Sequence, residues 1–220
     1  MRSNYLQIFV LFVVSAIGYQ AGLAQDNPAW LDYHLENIGK MRAQVETYTS
    51  GKTSLHETAA KPYLLFAVSK RERENWFKEL SRSGISVQAA HRMKLNAALE
   101  ALTASAANKL PMYKPAPQNF AVRNPAGEKL ILQKLKERLG SNVMLTIYKS
   151  GFQSNWQIYK DSIGLPQYRF MRGYIYAKNP VDDHPYCHLY YISANQDYAG
   201  GGTYASSVAR FEDDLVVGCP

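Results

Sequence analysis

Three closely spaced prolines, Pro111, Pro115 and Pro117, divide this chain into two parts that follow different hydrophobic periods. Proline fixes φ and carries no backbone N–H, so the stretch 110–120 can be neither a continuous helix nor a central strand. An extended connector over 111–124 is the expected form. Before it the apolar residues recur at helical spacing, and after it they alternate.

In the first part, Asp26, Asn27 and Pro28 make a turn that can cap a helix. Leu31, Leu35, Ile38, Met41, Val45 and Tyr48 then recur three or four residues apart and share one helical face, with a stop at 49–51. Pro62 can open a short apolar helix through Tyr63, Leu64, Leu65, Phe66 and Val68. Ser69 and Glu72 have the spacing of a capping box, ahead of a helix that carries Trp76, Phe77 and Leu80 and stops at Gly84. A further helix from Ser86 places Leu95, Leu99, Leu102 and Ala106 on one face. Residues 25–110 therefore read as an all-helical region, a small antiparallel bundle.

In the second part, Asn124 and Pro125 form a helix start, Leu132, Leu135 and Leu139 line one face, and Gly140 is the stop. Strand candidates follow at 143–148, 156–160, 168–178 and 186–196, with weaker ones at 204–211 or 215–218. Turn residues separate them at 149–151, 164–166, 179–180 and 200–202. The fold class is α+β: an N-terminal helical region, then a domain over 125–220 with one helix packed on an antiparallel meander. In the order of its elements this layout is similar to cystatin-like folds, a likeness that carries no function.

The N-terminus has the pattern of an export signal. Arg2 precedes an apolar run from Tyr5 to Ala21, and the small residues Gly22 and Ala24 suit cleavage after residue 24. Gln7, Ser15, Gly18 and Gln20 interrupt the run, which is too short for the roughly 20 apolar residues of a membrane span. A secreted or periplasmic location is expected. In that setting the two cysteines, Cys187 and Cys219, are expected to pair. The formal net charge of +7, or +6 without Arg2, permits weak attraction to anionic walls, lipids or nucleic acid and names no partner.

Three places could carry chemistry. Asp182, Asp183, His184, Cys187 and His188 are crowded around Pro185. A zinc-type site would use His184, His188 and an Asp. However, the two imidazoles lie roughly 13 Å apart along an extended chain, so no metal site and no cofactor is expected. Asp197, Tyr198 and Tyr204 flank Gly200, Gly201 and Gly202, where a glycine-rich turn could form a binding rim. If 168–178 is a strand, Tyr168, Phe170, Arg172, Tyr174, Tyr176 and Lys178 share one face. Tyr186, His188 and Tyr190 on the next strand would extend this into a tyrosine patch edged by cations, provided the faces coincide. The competing expectation is that the tyrosines pack under the helix.

The reading favoured by these features is a non-catalytic exported binding module. Arg172, Tyr174, Tyr176, Tyr190, Asp197, Tyr198 and Tyr204 would meet a glycan, an envelope polymer or a protein, and nucleic acid is not indicated. The alternative is a secreted hydrolase of an anionic polymer. It would use His184 or His188 as base, Asp183 as its orienting partner and Arg172 as charge stabiliser. A structural envelope protein that pairs with its own copies is a third reading.

Overall fold

A computed structural model describes residues 27–47, 62–115 and 117–220. The expected signal segment and its cleavage point, and the helix stop at 49–51, lie outside the described residues. The chain divides into a first unit ending at Met112 and a second running Tyr113–Pro220.

The first unit contains helices α1 (Ala29–Thr47), α2 (Pro62–Val68), α3 (Lys70–Arg82) and α4 (Ala89–Lys109). On α1 the expected face is buried at Leu31, Ile38, Met41 and Val45. On α4 Leu95, Leu99, Leu102 and Ala106 are buried, as their spacing predicts. Ser69 caps α3 by accepting from Glu72 N at 3.1 Å. The reciprocal half of the expected box is replaced, since the Glu72 carboxylate accepts from Arg71 Nε instead. Trp76 sits at the centre, stacked on Phe66 at 4.9 Å, with His34 and Tyr63 edge-on to it.

The second unit holds α5 (Pro125–Leu139) and strands β1 (Thr146–Phe152), β2 (Gln157–Lys160), β3 (Pro166–Lys178), β4 (Cys187–Gly200), β5 (Thr203–Tyr204) and β6 (Val208–Val217). Asn124 accepts from Gly127 N at 2.9 Å, Pro125 takes the first turn, and Gly140 ends the helix at φ +114°. All pairings in the sheet are antiparallel. Strands β1 and β2 pair with successive halves of β3, β3 pairs with β4, and β6 and β5 pair with β4. The α+β layout and the curled antiparallel sheet match the expected fold class. Ile131 and Leu135 of α5 pack on Met171, Ile175, Ala177, Tyr190 and Ile192 to form the core.

Two local expectations are corrected. Residues 149–151 are not a turn but the second half of β1. Gly151 is needed there for close approach, because a Cβ would stand 3.2 Å from Phe120 Cα and 3.3 Å from Val122 O. The proline stretch is also not simply extended. It forms 3-10 turns at Leu110–Met112 and Pro117–Phe120. Val122 then bridges to Phe152. The tie between Cys187 and Cys219 forms as expected, with Cα atoms 5.1 Å apart. It suits an oxidising compartment. Among the described residues no helix is long and apolar enough to cross a membrane.

Candidate functional site

The register of β3 on β4 decides what each face of the sheet presents. Tyr176 stands opposite Leu189, Ile175 opposite Tyr190 and Ala177 opposite His188. Residues directly opposite share a face, so even-numbered residues of β3 lie with odd-numbered residues of β4. The expected single tyrosine patch is therefore split. Tyr190 and His188 face α5, whereas Tyr174, Tyr176 and Arg172 face the other way. The faces fail to coincide because this pairing parity is set by the 179–186 connection.

Tyr174 and Tyr176 do not stand on an open surface. Both are buried, as is Tyr190. Phe120 of the second 3-10 turn meets Tyr174 edge-on at 6.3 Å. Tyr176 Oη donates to Gly218 O at 2.6 Å, and Tyr174 Oη donates to Gln153 Oε1 at 3.1 Å. Burial pushes the Tyr176 phenol up to about 12 and raises that of Tyr190 as well. These three tyrosines hold the fold together.

The other half of the same β3 face is open. Tyr159 of β2 stacks on Tyr168 at 4.8 Å and 18°, and Tyr168 is followed by Phe170 at 6.1 Å. Tyr159 is 50% exposed. Arg172 is exposed, with its guanidinium carbon 6.0 Å from the Phe170 ring centre. Across β4 and β6 this face continues through Asp197 opposite Tyr168, Asn195 opposite Phe170, and Ser193 opposite both Arg172 and Arg210. Beneath the rings Asn195 Nδ2 donates to Ser193 Oγ at 2.6 Å, and both side chains are buried. Tyr198 and Tyr204 belong to the opposite face, together with Arg169. Arg169 lies over the Trp156 and Tyr204 rings at 4.7 and 4.3 Å and donates to Gln196 Oε1. The glycines at 200–202 all have positive φ and make the β4–β5 turn, where Tyr198 Oη accepts from Gly202 N. Tyr159, outside the expected patch, is placed opposite Tyr168 by the pairing of β2 with β3.

The Asp/His segment is a second built place. Asn179 starts a turn: its side chain accepts from Val181 N and donates to Asp182 Oδ1 at 3.0 Å. Lys178 Nζ donates to the carbonyls of His184 and Tyr186, each at 2.6 Å, which bends the chain before β4 begins. The bend corrects the expectation that His184 and His188 stand far apart. Their ring centres are 5.2 Å apart. His188 Nε2 lies 3.0 Å from Asp182 Oδ2, and one ligand atom from each of Asp182, His184 and His188 lies within 4.8 Å of the others. His188 also stacks on Tyr190 at 5.2 Å. Burial, reinforced by the neighbouring His188, lowers His184 to about 4 and keeps it neutral at ordinary pH.

Of the residues named for a hydrolase, Arg172 lies apart from the Asp/His segment. Asp182, rather than the exposed Asp183, meets His188. Arg172 is opposite Ser193, five residues along β4 from His188 and on the other face of the sheet. Comparison with known proteins supplies no further guide: no family model, no curated protein and no solved structure matches this chain.

Proposed function

We propose that the chain is an exported, non-catalytic binding protein whose second unit holds an acidic glycan on the open half of the β3 face. The observation that carries this reading is the row of rings formed by Tyr159, Tyr168 and Phe170, which runs into Arg172 and Arg210 on one sheet face. Sugar rings present C–H faces that stack on aromatic rings, and phenol hydroxyls and arginines supply polar contacts at the edges. Ser193 and Asn195 lie buried beneath this face and bond to each other, so its polar contacts come from the exposed Arg172 and Arg210 and from the tyrosine hydroxyls. The basic excess of the chain favours an anionic polymer over a neutral one. Support for export comes from the signal-like N-terminus together with the disulfide.

The test is calorimetric titration with a uronic-acid hexasaccharide and with the same hexasaccharide after carboxyl esterification. The acidic form should bind and the esterified form should bind more weakly. Tyr168→Ala and Arg172→Ala should each reduce affinity about 10- to 30-fold. If neither sugar binds, or if both variants bind like the unsubstituted chain, the glycan reading fails and a protein partner becomes the better account of this face.

A further inference from the structure

The buried groups on the opposite face of the sheet have no role in glycan binding. His184 Nδ1 and both ring nitrogens of His188 make no hydrogen bond among the described residues. His188 is 4% exposed and His184 7%. Buried ring nitrogens are ordinarily hydrogen-bonded, because leaving one unpaired costs about 1–3 kcal/mol. An Asp182–His188 ion pair does not resolve this. Nε2 lies 3.0 Å from Oδ2 without the alignment of an N–H···O bond, so the contact is one of proximity. It also leaves His184 unexplained. Two imidazoles and a carboxylate thus bring one ligand atom each to within 4.8 Å of the others.

We propose that Asp182, His184 and His188 form a binding site for a divalent transition ion of the zinc class. Two imidazole nitrogens and one carboxylate oxygen are a normal three-ligand set for zinc, with the remaining position left for water. Around a tetrahedral ion with bonds near 2.0–2.1 Å, neighbouring donor atoms stand about 3.3 Å apart. His188 and Asp182 are already at 3.0 Å, and the widest separation of 4.8 Å closes by side-chain rotation of about 1.5 Å in total. Cys187 lies between the two histidines in sequence, but its sulfur is committed to Cys219, so the site offers nitrogen and oxygen only.

The charges nearby permit the ion. The charges that act on His184 are those of Lys178, Asp182 and Asp183, so the fixed charges around it sum to net negative. Lys178 is a positioning residue. It spends its hydrogen bonds on the His184 and Tyr186 carbonyls, and so holds the bend that brings His184 over His188. Asn179 does the same for Asp182 through its 3.0 Å bond to Oδ1.

The experiment uses the full chain with its disulfide intact, stripped with chelator and titrated with Zn2+ and Co2+ alone. One equivalent of Co2+ should bind and give the intense visible absorption of a tetrahedral site. In histidine ring NMR, Zn2+ should move the signals of His184 and His188 and leave those of His34 and His91 in place. His184→Gln and Asp182→Asn should each lower Zn2+ affinity by at least about 100-fold. Removing the His188 ring would leave a cavity beside Tyr190, so that variant is not relied on, and the NMR titration needs no variant at all. The proposal is overturned if the unsubstituted chain binds Zn2+ more weakly than about 1 mM. It is equally overturned if the histidine signals that move belong to other residues. The site lies across the sheet from Tyr168, so neither result bears on the glycan-binding face.

Discussion

Replacing Cys219 with serine should destabilise the whole second unit rather than loosen its last few residues. Cys187 is fully buried while Cys219 is half-buried, so the change at 219 leaves the core packing in place. The disulfide joins residues 32 apart in sequence. In the chain-entropy model, losing a closed loop of that length costs about 3.7 kcal/mol, nearly all of it through a freer unfolded chain. The folded end remains held without the bond. Val217 pairs opposite Cys187, Gly218 N donates to Tyr113 O at 2.9 Å, and Gly218 O accepts from Tyr176 Oη. Hydrogen exchange followed by mass spectrometry reads the two units separately. The slowest amides of β3 and β4 should exchange about 400-fold faster in the variant, by the same factor in both strands. If the acceleration is below about fivefold, or is confined to residues 216–220, the bond merely staples a frayed end and the reasoning is wrong.

Two further outcomes follow from packing and protonation. Gly173→Ala places a Cβ 2.5 Å from Ile192 O, 2.9 Å from Ile131 Cδ1 and 3.0 Å from a Phe152 ring carbon. The carbonyl belongs to the strand paired with β3 and has little room to retreat, so urea unfolding should show a loss of at least about 1–3 kcal/mol, and a neutral result would contradict the seating of α5 on the sheet. In the first unit, burial lowers His34 from 6.5 to about 4. The unfolded chain therefore takes up this proton at higher pH than the folded one. The stability of the first unit should fall as pH drops from 6.5 towards 4, by about 3 kcal/mol in all, and should gain nothing from further acidification through this group. Urea titrations at several pH values should show that slope, and His34→Gln should flatten it. A wild-type stability that stays level across the window would refute the assignment.

Features set by local chemistry were legible in the sequence. The α5 helix declared itself through Asn124, Pro125 and Gly140, because capping and termination depend on neighbours within one turn. The cysteine pair needed only the compartment and the even count. What was not legible depends on register. Whether Tyr190 joins Tyr176 or lies across the sheet from it is decided by a one-residue parity, and periodicity within either strand is the same in both cases. The connection over 179–186 sets that parity through the Asn179 turn and the Lys178 bonds, which no spacing rule foresees. The same bend defeats the distance estimate for His184 and His188, which assumed an extended chain. Gly151 misled for a related reason. A glycine can mark a turn or a close approach, and only the position of Phe120 distinguishes them.

Under the proposed function the tyrosine stripe of β3 has two different roles along its length, binding at Tyr168 and packing at Tyr176. The most direct test measures uronic-acid hexasaccharide affinity and thermal stability on the same two variants, Tyr168→Ala and Tyr176→Phe. Tyr168→Ala should lose binding about 10- to 30-fold while keeping most of its stability, since its ring is partly exposed. Tyr176→Phe should keep binding but leave the Gly218 carbonyl without its buried donor, at a cost of about 1–3 kcal/mol. If the two variants exchange these effects, or if Tyr168→Ala alters stability alone, the open half of the sheet is not the binding face.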